Sequence, residues 1–363
     1  MGRNSVTKVL HITSYPPPRA GWGMRVYFLK QEMEKNGDVC EVLNIGKGRF
    51  LTGRDFVPCF SGWDYLKKVV LYRLKGFLIH MHLNGDSPKG FILTLIALLV
   101  SFMTFRRAVI TFHAGPVQLY FPQFKAPMLT PMYKLIFALS KYIICNSEPV
   151  KEKIVGYGVN PDKIFTIQAF SRQYLNFEKI SLNGKYEEIF HNHHPVIFTY
   201  VYHRPEFFRE QMVQAFHKFK EYYPNAYLLI VGYEEGSEEL KKLISQLGLT
   251  DSIYFTGDLD HDTFLTLLEK ASFYWRTPVK DGVCSSVLEA LALGTPVIAS
   301  ENGTRPSGVI TYDNDNIDDI VEKLIYITEK NQQIRKSLTP PEIPDTITTE
   351  VDLIKKAYNS SKI

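Results

Sequence analysis

At 363 residues, 45% hydrophobic and 22% charged, the chain is long enough for two ordinary hydrophobic cores and too long for one typical domain. Aromatics at 13%, with no fixed-period repeat and no low-complexity tract, exclude intrinsic disorder and fibrous architectures. The net charge of +4 conceals an asymmetry: residues 1–180 carry 24 Lys and Arg against 11 Asp and Glu, and the remainder 18 against 27, so the first part is read as meeting a membrane surface, a lipid phosphate or a nucleic acid.

The polar start, Met1 to Lys8, leads into the strand-like Val9 to Thr13 without the apolar core of a signal peptide. After this strand comes Ser14 to Met24, a loop containing Gly21 and Gly23, then a helix through Lys35. Glycines between a strand and a helix let backbone N–H groups approach an anion, with the helix dipole assisting. Further short runs follow at Val39 to Ile45, Phe77 to Leu83, Ala108 to Phe112, Tyr142 to Asn146 and Ile164 to Ile167, separated by helix-length segments. Strands joined by such crossovers are parallel, which predicts a doubly wound sheet. Trp63 to Lys75 interleaves Lys67, Lys68, Arg73 and Lys75 with apolar residues, and the 16-residue apolar run Gly90 to Phe105 is too short to span a bilayer. The first reads as a surface helix facing an anionic membrane, the second as a buried or interfacial helix.

Phe177 to His194 is polar and reads as the connection between two domains, its His191, Asn192, His193, His194 cluster solvated rather than metal-binding. The rhythm restarts with Val196 to Val201, Ala226 to Val231, Ser252 to Phe255, Phe273 to Trp275 and Val297 to Ala299. Between the first two lies a helix marked by Phe208, Met212, Phe216, Phe219 and Tyr223. Asp258, Asp260 and Asp262 follow Phe255-Thr256-Gly257 at a helix start, where acids favour the dipole, so they are not read as a metal site. The four cysteines have no metal spacing, and no metal or cofactor is expected. Thr339 to Pro344 breaks the fold before Asp345 opens a last helix through Tyr358.

Ligands of open α/β sheets bind outside the carboxyl ends of the strands. The most informative post-strand segment is Lys280 to Ser300, in which Asp281 and Glu289 are separated by seven residues and Gly294-Thr295-Pro296 leads into the next strand. A helix N-terminus there holds a diphosphate, and an inward carboxylate accepts hydrogen bonds from a ribose diol, which implies a nucleotide.

With these motifs in place, and with Phe112-His113-Ala114-Gly115, Cys145-Asn146-Ser147-Glu148, Leu229-Ile230-Val231-Gly232 and Phe255-Thr256-Gly257 in the same order, the sequence resembles family 4 glycosyltransferases of the GT-B fold along nearly its whole length. The resemblance implies an α/β protein of two Rossmann-like domains facing each other across a cleft: an acceptor domain over 1–180, a linker over 181–194, a nucleotide-sugar donor domain over 195–338, and a C-terminal helix over 345–363 crossing back to the first domain. It implies a retaining, metal-independent transfer of a sugar from a UDP- or GDP-sugar to a saccharide or lipid-linked acceptor in polysaccharide assembly. By position, Glu289 takes the ribose, Asp281 and His113 the transferring sugar, and Arg204 and Arg209 the leaving diphosphate. Gly21, Gly282, Cys284, Ser285 and Ser286 contact the donor. The basic first domain is expected to place the protein peripherally on an anionic membrane, on the cytoplasmic face, with no nucleic acid as partner. Departures are Asp281 where the family usually has Glu, Ala20-Gly21 for a double glycine, Arg204-x4-Arg209 for Arg-x4-Lys, and Asn302-Gly303-Thr304-Arg305-Pro306 for Gly-Gly-x-Pro-Glu. Two other readings stand beside this one: a sugar-nucleotide isomerase of the same fold, and a non-catalytic partner subunit.

Overall fold

The computed structural model describes residues 6–16, 21–201, 207–232, 237–279 and 284–360. The chain divides into two compact units, Met1–Gln173 with Ile343–Ile363, and Tyr174–Glu342.

The first unit holds a six-stranded parallel sheet of β1 (Lys8–Thr13), β2 (Val39–Asn44), β3 (Leu78–Leu83), β4 (Val109–Phe112), β5 (Tyr142–Cys145) and β6 (Ile164–Thr166), in the order β2-β1-β3-β4-β5-β6. The crossover direction reverses between β1 and β3, the switch point at which such sheets bind ligands. Helices cover both faces, so strand residues are buried on both sides, but the two faces differ. Leu10, Ile12, Ile79, Met81, Ile110 and Phe112 enter an apolar core with α2 (Gly62–Leu74), α3 (Pro88–Met103) and α4 (Thr130–Leu139). The alternating residues His11, His80, His82 and Thr111 take the opposite face and are buried there too.

That second face is covered by α1 (Gly21–Lys35), which packs against the last helix, Thr346–Asn359. The last helix is capped by Asp345, whose carboxylate accepts from Thr348 N at 2.9 Å and is held by Gln173 and Arg172. Its Glu350 is fully buried and meets Arg25 of α1 at 2.5 Å, while Arg25 also donates to the carbonyls of Gln168 and Ala169. This network explains why the chain returns to the first unit after Glu342.

The second unit repeats the plan. After α5 (Glu148–Val155) of the first unit, its helices are α6 (Gly184–Asn192), α7 (Arg209–Tyr222), α8 (Glu238–Gln246), α9 (His261–Lys270), α10 (Ser285–Ala292), α11 (Ile317–Glu329) and α12 (Asn331–Ser337), the last helix of the chain, in the first unit, being α13. Strands β7 (Val196–Tyr200), β8 (Tyr227–Val231), β9 (Ile253–Gly257), β10 (Phe273–Arg276), β11 (Val297–Ser300) and β12 (Val309–Tyr312) pair in parallel as β12-β11-β10-β7-β8-β9, with the switch point between β7 and β10.

Three local features differ from the sequence reading. The connecting segment contains α6, because Ile189 is buried in the second unit's core with Tyr186 and Phe190 packed around it, an apolar stripe masked by polar neighbours. Strand β12 was not anticipated; it is short and pairs only with β11. In α7, Met212, Phe216 and Phe219 are buried, but Phe208 precedes the helix with φ of 46° and Tyr223 follows it.

Candidate functional site

The carboxyl ends of the two sheets carry different chemistry. In the first unit, Asn44 at the end of β2 grips the loop after β1, its Oδ1 accepting from Tyr15 N at 3.2 Å and Gly46 N at 2.9 Å. Gly21 opens α1, and Gly23 one helical step on is where space decides: a Cβ there would sit 2.7 Å from Ser14 O. The helix N-terminus therefore presses directly on the post-strand loop. His113 stands just beyond β4, half-buried, with its backbone N donating to Leu83 O at 2.8 Å. Trp22 of α1 meets its ring edge-on at 5.0 Å, and its Nε2 lies 2.9 Å from Nδ1 of His82. Burial, with Arg25 nearby, holds the His113 imidazole well below its usual range, at about 3, so the ring is neutral at pH 7.

In the second unit, α10 follows the loop after β10. Its N-cap residue is Cys284, whose side chain makes no cap hydrogen bond to the helix. The Cys284 thiol lies 3.1 Å from Ser286 Oγ, which lies 2.7 Å from the Tyr274 hydroxyl of β10, so the first turn is pinned to the sheet. Cys284, Ser285 and Ser286 thus cluster at this N-terminus, and Glu289 follows on the same helix. Glu289 is buried, has no side-chain hydrogen bond among the described residues, and burial pushes its carboxyl up to about 8. Arg209 is the half-buried first residue of α7, on the carboxyl side of β7, the strand beside β10. Arg204, Asp281 and Gly282 lie outside the described residues.

Sequence reasoning missed several neighbours. Arg276 at the carboxyl end of β10 is buried, its guanidinium 5.2 Å from the Phe207 ring and donating to Tyr200 O at 3.2 Å. An arginine closing the aromatic strand Phe273-Tyr274-Trp275 was the available signal. Arg305 donates to Ser300 O and Pro278 O, tying the loops after β10 and β11 together, which gives the Asn302–Pro306 loop its anchor. Asp260, expected at a helix start, caps α9 by accepting from Thr263 N at 2.9 Å.

Comparison with known proteins follows this geometry. Residues 197–339, which lie within the second unit, match the family model described as Glycosyl transferases group 1. The chain is 29% identical over 210 residues to the uncharacterized glycosyltransferase MJ1069 of Methanocaldococcus jannaschii, covering 56% of this chain and 53% of that one. It therefore spans about half the length of that relative. HepE from Anabaena, solved in complex with UDP-glucose, superposes with a TM-score of 0.69 at 16% identity, over 97% of this chain and 99% of that one. A UDP-N-acetylglucosamine 2-epimerase superposes with a TM-score of 0.66 at 13% identity, over 98% of both chains. At these identities the likeness is one of fold, two Rossmann-like domains of GT-B type.

Proposed function

From the match of residues 197–339 to the glycosyl transferases group 1 model, we propose that the protein transfers a sugar from a nucleotide donor, UDP- or GDP-linked, to a saccharide or lipid-linked acceptor with retention of configuration. The observation that carries this reading is Glu289: a buried carboxyl without a side-chain partner among the described residues, about one turn into a helix whose N-cap residue, Cys284, makes no side-chain cap hydrogen bond. A ribose diol supplies the two donors Glu289 lacks, and ionises it. Backbone N–H groups around Cys284, Ser285 and Ser286 then receive the diphosphate, and Arg209, with Arg204, balances the charge that develops on it as the sugar departs. Asp281 orients the transferring sugar, and Gly282 leaves room for the diphosphate. In the first unit His113 and the Gly21 turn address the sugar and the acceptor. Because two arginines and a helix terminus take the diphosphate charge, the reaction is proposed to need no metal.

The acceptor side rests on surface chemistry. Outward on α2 and at the end of α3 and just beyond it stand Trp63, Leu74, Met103 and Phe105, 65 to 87% exposed, near Lys67, Lys75 and Arg107. A cavity of about 600 Å³ at the end of α3 is lined by Phe102, Met103, Phe105, Arg107, Lys141 and Lys163. Apolar side chains rimmed by cations suit an anionic membrane surface, and no described helix is long and apolar enough to cross one. We place the protein peripherally at the cytoplasmic leaflet, beside a lipid-linked acceptor for polysaccharide assembly. Two of the four expected cations are already engaged: Lys68 pairs with Asp64 at 2.7 Å, and buried Arg73 donates to Thr104 Oγ1 at 3.0 Å.

The fold shared with an epimerase keeps isomerisation of a sugar nucleotide as the second reading. Incubation with UDP- and GDP-sugars separates them: free nucleoside diphosphate released only with acceptor supports transfer, and an epimeric sugar nucleotide formed without acceptor supports isomerisation. Binding of donor without either product would indicate a non-catalytic partner subunit.

A further inference from the structure

The switch point of the first sheet contains a column of imidazoles unexplained by the fold. His113 Nε2 lies 2.9 Å from His82 Nδ1, and His82 Nε2 lies 3.1 Å from His11 Nδ1. Beside them, His80 Nε2 is 2.7 Å from Thr111 Oγ1, which donates to Glu350 Oε1 at 3.2 Å. His11, His80 and His82 are buried, while His113 is half-exposed at the carboxyl edge. Burial is the largest cause holding all four below the usual imidazole range, so at pH 7 the column is neutral.

A neutral imidazole has one N–H and one lone pair, and each N···N contact holds one proton. Three neutral rings joined by two contacts therefore have only two proton patterns. In the inward one, His113 Nε2–H donates to His82, His82 Nε2–H donates to His11, and the spare N–H falls on His11 Nε2. In the outward one, His11 Nδ1–H donates to His82, His82 Nδ1–H donates to His113, and the spare N–H falls on His113 Nδ1. His11 Nε2 is buried without a hydrogen-bond partner among the described residues. Orphaned buried N–H groups are rarer than under-satisfied acceptors, so this end prefers a lone pair, and the half-exposed His113 end takes the N–H.

We propose that His11 and His82 are positioning residues that hold His113 as the neutral Nδ1–H tautomer, making it a hydrogen-bond donor to an oxygen of the bound ligand, a sugar hydroxyl or a phosphate oxygen. The ligand class rests on the sugar-transfer reading; the tautomer does not. His11, His80 and His82 also bring ring nitrogens within 4.8 Å of one another, a spacing a divalent cation could use. A cation would have to break the N···N contacts and sit where the Arg25 charge already acts on His80 and His82, so the hydrogen-bonded column is favoured.

The test is long-range proton–nitrogen correlation on the full chain labelled with ¹⁵N-histidine at pH 7, with His113 assigned by His113→Asn. Protonated Nδ1 and bare Nε2 on His113 are expected; an Nε2–H tautomer or an imidazolium there would overturn the proposal. Two nearly isosteric changes probe the origin of the order. His11→Asn keeps a donor toward His82 and should retain the pattern, whereas His11→Asp offers only acceptors once ionised and, at a pH where its ¹³C-carboxyl shift shows the carboxylate, should turn His113 to Nε2–H. An unchanged His113 in a folded His11→Asp protein with an ionised carboxylate would overturn the positioning role; should that variant fail to fold or stay protonated, the wild-type spectrum still decides the tautomer. Tight retention of one equivalent of zinc by the wild type, with loss of the N···N signatures, would replace the column with a metal site. In the transfer assay, His11→Asp should lose about tenfold in rate, as expected for one hydrogen bond of about 1.4 kcal/mol, and His11→Asn should recover most of it. Absence of transfer in the wild type with the tautomer intact would count against the proposed function alone.

Discussion

The two sheets share a plan and treat polar groups at their switch points in opposite ways. In the first unit, His11, His82 and His113 hydrogen-bond one another, and Glu350 is held by Arg25 and Thr111. In the second unit, Glu289 is buried with no side-chain partner among the described residues and carries a carboxyl pushed up to about 8. A polar group satisfied by protein fixes geometry in advance; one left waiting marks where a ligand must supply the partner. The contrast assigns preorganisation to the first unit and recognition to the second.

That contrast has opposite signatures in pH, and the largest effect should come from acid. The buried His11, His80 and His82 have native pKa values lowered by burial, so the unfolded chain takes up protons first as pH falls below about 6.5, and stability present above that range is lost. Each ring should cost about 2 kcal/mol by pH 5. The groups facing them are Arg25 and Lys30 of α1, Thr111 of β4 and Glu350 of α13. Hydrogen exchange of the full chain should show the first unit's strands opening before the second's at pH 5; the reverse order would break the comparison. Next in size is Arg25→Met, which strands the buried Glu350 and should lower stability by about 3 to 5 kcal/mol, with Arg25→Met combined with Glu350→Leu recovering much of the loss in denaturant titration.

Smaller effects belong to the second unit. The folded state keeps the Glu289 proton longer than the unfolded chain, so its contribution is most favourable below 4.5, declines up to about 8 and is flat above. Glu289→Gln should remove that decline, about 1.4 kcal/mol per pH unit within the window, in paired melting curves at pH 6 and pH 8. Ribose binding to the ionised carboxylate should release a proton at pH 7, visible as a buffer-dependent enthalpy in calorimetry and absent from the Gln variant. The smallest effect is expected at the surface: Lys67→Glu with Lys75→Glu should weaken binding to anionic liposomes at low salt by about 1 kcal/mol for each cation removed, and leave binding to neutral liposomes unchanged.

Most strands were legible in the sequence because each is an apolar run closed by turn residues, and the α10 segment was legible because its acids and small residues lie within one continuous stretch. The histidine column was not. His11, His82 and His113 lie on separate strands or just beyond one, and only the order β1-β3-β4 brings them together. The visible trace was Leu78 to Leu83, where two histidines alternate within an otherwise apolar strand. Glu350 was hidden for a similar reason: its surface-like helix reads as amphipathic, and its burial depends on Arg25 more than three hundred residues earlier. Buried Arg73 shows the converse, a cation in a basic stretch that proves to be an anchor rather than part of the outer face.

The return of α13 to the first unit also sets a timetable for synthesis. Arg25 leaves the ribosome early, but Glu350 follows only after the whole second unit has been made. At about 5 to 20 residues per second, the intervening chain takes on the order of ten seconds or more to translate. Throughout that interval the nascent first unit carries an unmatched arginine and an uncovered histidine face, and α1 lacks its packing partner. The second unit, contiguous in sequence, can close as soon as it emerges. The part of the molecule begun first is thus the part completed last: its six strands are all made by Thr166, yet α1 and the face it covers wait for α13 until the whole second unit has been translated.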